Sequence, residues 1–444
     1  MKYENVKSLV LFLLVAASGA LTWTLWTYQP KYDVFPDKYH EVSISNQQEP
    51  MNLIKPARIL YHVDGVHYGT VDDNLINDLL LDMSQWSLFD IGEAKSLNDA
   101  QIQELSHADN RVTISFPDLV PFDLYKSVLH FETKVLPADT FDRIVVNLAS
   151  GNKEDASVFF LSTETRRVYE SHINAEALNT FVREIEGSLN QYSNYKAYVL
   201  PDERTMYLPS DTVSVTKYKF YSDYIDPVKF QNALFKDPSK VRRDILADGE
   251  KFTDFLSMMN VDYNTNMIFY VNPGQDQEER HMETPGSLLR RSITFVNEHS
   301  GWTDNYQYFG LDADKGKTVF RLFMDGYPVF NDQGMAQIEQ IWGITEIYQY
   351  SRPYFSLDIA LPGQTEVELP SGEDALNYAL NYMKINDPEF KPELLEDMMI
   401  GYKLSKDPDS QKVFVLEPSW YYRYAGSWLR MSPEEIKEGY RGLE

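Results

Sequence analysis

The histidines are the first candidates for catalytic or metal-binding residues in this sequence, and their spacing gives little support for either role. None of the eight histidines forms the HExxH pattern of a zinc enzyme. His62 and His67 lie around Gly65, so a turn would bring them together, but a surface hairpin explains such a pair better than a metal site does. The eight are His40, His62, His67, His107, His130, His172, His281 and His299.

Nucleophile and cysteine chemistry is also missing from the sequence. The chain has no cysteine, which excludes disulfides, a thiol nucleophile and a cysteine-ligated metal. No GxSxG elbow, in which a serine is exposed on a sharp turn, is present. We therefore predict no catalytic residues, no metal and no cofactor, and we expect a protein that is not an enzyme.

One segment resembles two ligand-binding loops without matching either. Gly310 and Gly316-Lys317-Thr318 imitate a phosphate-binding loop, but the glycines are one residue too far apart and two aspartates between them would repel phosphate. Asp312, Asp314 and Gly316 imitate a calcium loop, but Phe323 occupies the position that needs a bidentate glutamate. We predict a polar hairpin turn between two strands.

The charge balance argues against nucleic acids as partners. The 444 residues include 67 acidic and 41 basic side chains, a formal net charge of -26 at pH 7. Such a surface repels the phosphates of nucleic acids. Because acidic residues are so numerous, pairs of carboxylates are expected by chance, and such a pair is no evidence of a catalytic acid and base.

The strongest signal in the sequence is an apolar run near the N-terminus. Residues 8–27 read SLVLFLLVAASGALTWTLWT and contain no charge. A helix of that length spans roughly 30 Å, the thickness of one hydrocarbon core. Lys2 and Lys7 precede it, which predicts a cytoplasmic tail (1–7) and an extracytoplasmic body. The alternative is a signal peptide cleaved near Ala17–Ala20, but the run continues beyond that point.

One face of this helix is suited to contact with other membrane helices. Small residues four apart let two backbones approach closely in lipid, where apolar surface gives no drive to associate. The predicted partner-contact face combines two such residues with a glycine and two aromatic residues, namely Phe12, Ala16, Gly19, Ala20 and Trp23.

After a proline-containing tether (28–58), the sequence predicts an α+β domain over 59–209. Apolar residues at helical spacing predict helices at 72–83, 98–105 and 174–189. Short β-prone runs predict strands at 59–63, 111–116, 127–133, 143–148 and 157–161.

The remaining sequence contains a weak internal repeat. Each copy reads strand, helix, strand, polar turn, strand, and Pro285-Gly286-Ser287 of the first copy recurs as Pro370-Ser371-Gly372 in the second. We predict two further domains, 210–330 and 331–444, each a helix on a small antiparallel sheet. The fold class is thus α+β: an N-terminal transmembrane helix followed by a three-domain body whose last two domains are a duplication.

Several motifs carry a resemblance to a known family. They are VKSLVLFLLVAASGALTWTLWTYQP at the N-terminus, GYPVF at 326–330, LPSGEDAL at 369–376, IGYKL at 400–404 and VLEPSWYY at 415–422. As a set they resemble the YycH proteins of low-GC Gram-positive bacteria, and they are also similar to the related YycI proteins. The likeness spans the whole chain and is weakest over about 60–280.

The resemblance implies a function as well as a fold. YycH proteins are single-pass membrane regulators of the WalK (YycG) sensor histidine kinase, which controls cell-wall metabolism. They act with YycI through helix contacts in the membrane, inhibiting in some relatives and activating in others. Their exported body has three domains, the last two alike. The partners expected are therefore a WalK-type kinase, a YycI-like membrane protein and the lipid bilayer.

Two other classes of function remain open. One is an exported binding or chaperone-like module for a cell-wall polymer or peptide. The other is a wall hydrolase, which the absence of a nucleophile, a metal set or a placed acid pair disfavours.

Overall fold

The chain forms two separate compact units, residues 1–39 and 40–444. The computed structural model describes residues 2–27, 47–150, 155–200, 204–276, 283–299, 301–386 and 389–431. The first unit holds helix α1 (Lys2–Thr27), which includes the whole predicted anchor. Within the described residues, no helix combines the length and the apolar character that crossing a bilayer requires. The transmembrane anchor therefore stays a prediction, and most of the tether (28–46) lies outside the described residues.

The second unit begins with a mixed α+β region whose elements alternate along the chain. They are α2 (Pro50–Leu53), β1 (Arg58–Val63), β2 (Val66–Thr70), α3 (Asp73–Ser84), β3 (Ser87–Leu88), β4 (Lys95–Ser96), α4 (Asp99–His107), β5 (Arg111–Pro121), α5 (Phe122–Tyr125), β6 (His130–Phe131), β7 (Thr140–Asn147), β8 (Asp155–Ser162), β9 (Arg167–Asn174), α6 (Ala175–Ser188), β10 (Ser193–Val199) and β11 (Thr205–Pro209).

Nine of these strands make one antiparallel sheet in the order β11-β10-β2-β1-β5-β7-β8-β9-β4. The three predicted helices are present as α3, α4 and α6, and each begins where a polar side chain caps it: Asp72, Asn98 and Asn174. The strand predicted at 127–133 is wrong for most of its length, because only β6 is extended there. Val128 and Leu129 are buried in the turn that follows the short helix α5 instead.

The C-terminal part is dominated by strands. Its elements are β12 (Val213–Tyr224), α7 (Pro227–Leu234), β13 (Arg242–Ile245), β14 (Gly249–Thr253), β15 (Met258–Asp262), β16 (Met267–Val271), α8 (Pro285–Glu298), β17 (Tyr306–Asp312), β18 (Lys317–Met324), β19 (Tyr327–Phe330), β20 (Gln337–Trp342), β21 (Ile347–Pro353), β22 (Phe355–Ala360), β23 (Thr365–Leu369), α9 (Gly372–Asn386), β24 (Leu395–Asp407), β25 (Ser410–Tyr424) and β26 (Ser427–Met431).

Both predicted repeat windows have the expected order of elements. In the first, α8 is followed by the antiparallel hairpin β17–β18, and in the second, α9 is followed by the antiparallel hairpin β24–β25. The prediction of two small separate sheets differs from the structure. The strands form one 15-stranded sheet, because β19 pairs in parallel with β24 and joins the two halves.

Strands are also exchanged between the two halves of this sheet. β12 comes before the first repeat copy but pairs with β22, β23 and β25 of the second half. β20 and β21 come after the first copy but pair with β18 and β16 of the first half. The core is consequently shared across both halves, and the boundary at residue 330 stays a prediction.

Candidate functional site

Helix α1 carries the face predicted to contact a partner, and its apolar side chains are uncovered within its own unit. Phe12 is 71% exposed and Trp23 is 72% exposed. Five further large apolar side chains on α1 are more than half exposed: Leu11, Leu13, Leu14, Val15 and Leu21. Burying such surface away from water is the main favourable term in association.

Small residues lie along one side of α1, as the spacing predicts. Phe12, Ala16, Gly19, Ala20 and Trp23 share one helical face because residues three, four and seven apart align on an α-helix. A Cβ atom added at Gly19 would meet nothing within 4 Å. The hydroxyl of Thr22 donates to the carbonyl oxygen of Ser18 at 2.9 Å, so this polar group is satisfied inside the helix.

The β1–β2 hairpin brings together histidines that the sequence only hinted at. Asp64 and Gly65 both have positive φ, of 51° and 74°, the geometry of a tight two-residue turn between twisted strands. His62 and His67 are therefore directly opposite each other. The predicted hairpin is confirmed, but its surface character is not, because His62 is completely buried.

A third histidine completes a hydrogen-bonded chain of rings. Nδ1 of His67 lies 2.8 Å from Nδ1 of His62, and Nε2 of His62 lies 3.0 Å from Nδ1 of His107. A neutral imidazole has one donor and one acceptor nitrogen, so His62 donates to one neighbour and accepts from the other. The ring of Tyr207 packs against all three, with centroids 4.3–5.0 Å apart.

The surroundings of this histidine chain oppose a positive charge. Burial, and repulsion from His67 when that ring is protonated, lower the pKa of His62 to about 3, and Asp109 opposes the shift. Burial, together with Arg143, holds the pKa of His107 well below its ordinary value. Burial also lowers the pKa of His67. All three rings are consequently neutral at pH 7.

The histidine chain is not arranged to bind a metal ion. Across the described parts of the chain, no group of three or more histidine, aspartate or glutamate side chains could hold one. A zinc site needs nitrogens converging on one point at about 2.0–2.1 Å, whereas both nitrogens of His62 face other histidines. The arrangement is a chain of neutral rings whose burial opposes protonation.

The segment that imitates nucleotide and calcium loops is the predicted hairpin turn. It connects β17 and β18, with Asp312 opposite Lys317 in the register. The carboxylate of Asp312 accepts from the backbone and side-chain nitrogens of Lys315, so its oxygens are used within the turn.

Comparisons with known proteins place this architecture in a family. The N-terminal domain model of YycH protein matches residues 4–192, and the C-terminal domain model of YycH protein matches residues 203–435. A curated protein of Bacillus subtilis (strain 168), "Two-component system WalR/WalK regulatory protein YycH", is 22% identical over 459 residues and covers 99% of both chains. The crystal structure of YycH from Bacillus subtilis has a TM-score of 0.72 and 20% identity, covering 87% of this chain and 98% of that one. Because the two domain models together match nearly the whole sequence, this chain belongs to the YycH family.

Proposed function

We propose that this chain is a membrane-anchored regulator of a WalK-type sensor histidine kinase that controls cell-wall metabolism. It acts without catalysing a reaction, through contacts between its helix α1 and the membrane helices of the kinase and of a YycI-like protein. Family membership supports the regulatory role, since the curated relative is named as a WalR/WalK regulatory protein. The observation that carries the helix-based part is the uncovered apolar surface of α1.

Anchoring by α1 accounts for that surface. The uncharged run 8–27 is long enough to span the hydrocarbon core of a bilayer, and lipid would cover the side chains that water otherwise faces. Lys2 and Lys7 favour a cytoplasmic N-terminus, which puts the acidic body outside the cell.

Helix contacts suit the control of a sensor kinase. Such a kinase switches by small shifts of its spanning helices, so a partner needs only a different affinity for two arrangements. The face with Ala16, Gly19 and Ala20 permits close backbone approach, and Phe12 and Trp23 add apolar contact at either end.

Co-purification from membranes tests this proposal. The tagged full-length chain is extracted in mild detergent, and we expect the sensor kinase and a YycI-like protein to come with it. A control replaces residues 8–27 by an unrelated apolar helix of equal length, which should keep the protein in the membrane but lose the kinase. Recovery of neither protein with the natural chain would contradict the proposal.

A second candidate function is a binding module for a cell-wall polymer or peptide. One observation favours it: a cleft of about 360 Å³ in the body, within the roughly 300–1,000 Å³ range typical of ligand sites. This function does not exclude the first, since a regulator can also sense a ligand.

A further inference from the structure

The cleft lies where the N-terminal sheet meets the C-terminal sheet. Strands β1, β2 and β10 line one side, and β12, β24, β25 and β26 line the other. The turn between β18 and β19 closes part of it, where Gly326 has φ +80° and a Cβ atom there would lie 1.7 Å from the carbonyl oxygen of Val71. Backbone packs directly against backbone at this point, so close packing between the two parts of the body forms this edge of the cleft.

A row of three side chains crosses the C-terminal wall of the cleft. Asp397 on β24 is opposite Arg423 on β25, and Arg423 is opposite Trp428 on β26. From the N-terminal wall, Nη2 of Arg58 lies 3.7 Å from Oδ1 of Asp397. Tyr195 lines the same cleft, with its ring over Gly69, where no Cβ atom would fit.

Both guanidinium groups in this cleft have unused donors. Nε of Arg58 and Nε of Arg423 are buried without a hydrogen-bond acceptor. Nε of Arg423 lies 2.8 Å from Oε2 of Glu396 but is not aligned for a hydrogen bond. A ligand cannot reach these buried atoms, but Arg423 lines the cleft and its terminal nitrogens Nη1 and Nη2 have no acceptor among the described residues. A ligand that supplies acceptor oxygens can therefore pair with them. Arginine presents a planar fork that matches the two oxygens of a carboxylate.

The same group of side chains also has a free acceptor. Oδ1 of Asp397 accepts from the backbone nitrogen of Met398 at 2.8 Å, whereas its Oδ2 has no donor among the described residues. The charged side chains that line the cleft are two arginines and three aspartates, Arg58, Arg423, Asp72, Asp325 and Asp397, so the cleft offers groups of both signs. A ligand that carries one charge of each sign fits such a lining better than a purely anionic one.

We propose that this cleft binds a short zwitterionic peptide with a free α-carboxylate. The carboxylate is held by Arg423 and Arg58, the ammonium group is held by Asp397, and the apolar part of the peptide packs on Tyr195 and Trp428. Because the site joins the N-terminal and C-terminal sheets, a bound peptide would stabilise one arrangement of the two. This inference deepens the binding function given above as second candidate, and it does not depend on the kinase.

Titration calorimetry with the full-length chain in detergent micelles tests the inference. The probes are tri-L-alanine, tri-L-alanine amide and a trimer of N-acetylglucosamine. We expect tri-L-alanine to bind and the amide to bind at least about tenfold more weakly, because it loses a charge-assisted pair of hydrogen bonds. No binding of tri-L-alanine, equal binding of acid and amide, or binding of the sugar trimer alone would overturn the inference.

Substitutions test whether tri-L-alanine binds in this cleft. Arg423→Met should weaken the binding of tri-L-alanine by a similar factor, and Arg58→Lys should weaken it while retaining the charge. The matched control is Arg166→Met, which removes an exposed arginine that pairs with Asp99 and lies between β8 and β9, away from β1 and β2 in the strand order. Circular dichroism confirms that each variant is folded. Unchanged affinity in both folded cleft variants would contradict the assignment, whatever the outcome with the kinase.

Discussion

Burial lowers the pKa of all three imidazole rings of the histidine chain, those of His62, His67 and His107. In the folded chain the pKa of His62 is about 3, against an ordinary value of 6.5. The unfolded chain therefore binds more protons between these two pH values, and stability must fall as pH falls through that window. The loss is up to about 1.4 kcal/mol per pH unit for each ring that stays neutral in the folded state.

Urea unfolding at several pH values checks this prediction. The free energy of unfolding of the natural chain should drop between about pH 6.5 and 5, and the drop should be shallower in His62→Asn. Replacing exposed His130 by Asn is the matched control and should leave the slope as in the natural chain. Equal slopes in the natural chain and His62→Asn would show that this histidine chain does not govern the pH dependence.

Part of this cluster was predictable from sequence, and part was not. The turn at Asp64-Gly65 between two apolar runs indicates a hairpin, and a two-residue turn fixes His62 opposite His67. His107 is distant in sequence, at the end of α4, and no local pattern connects it to them. Hydrophobic periodicity reports which face of an element is buried, but it does not report which elements become neighbours.

At the scale of the element, substitutions can test the predicted partner-contact face of α1. Gly19→Leu adds bulk where two backbones should approach, so it should weaken control of the kinase without lowering the amount of protein in the membrane. Ala17→Leu is the matched control, since it adds a side chain of the same size on another side of the helix. Membrane immunoblots measure the level, and transcription of a gene under the kinase's control measures regulation. If both variants regulate equally well, this face is not the contact.

Capped amphipathic helices were the most predictable elements, because their signals are local. Asn174 caps α6 and Leu178, Phe181 and Ile185 are buried on one side of it, as the spacing indicates. The strands exchanged between the halves of the large sheet were not predictable. β12 pairs with β25, about 200 residues later in the chain, and its Tyr218 and Phe220 give only the alternation of a strand.

At the scale of the whole molecule, the body should be stable without any ligand. Its core runs through both sheets, and the described residues contain no metal site. We predict that a fragment starting at about residue 32 folds as a soluble monomer, with a thermal unfolding midpoint unchanged by a chelator. Circular dichroism with and without EDTA measures this, with sedimentation for the oligomeric state. A large drop in the midpoint with EDTA would refute the prediction.

The regulatory claim is tested most directly by the rate of kinase autophosphorylation in lipid vesicles. The sensor kinase is reconstituted with the YycI-like protein, and the full-length chain is then added or omitted. We expect the rate to change when the full-length chain is present and to stay at the basal level with a chimaera whose residues 8–27 come from an unrelated helix. A rate that the full-length chain leaves unchanged would contradict the regulatory role, and a chimaera as effective as the natural chain would move the contact from α1 to the body.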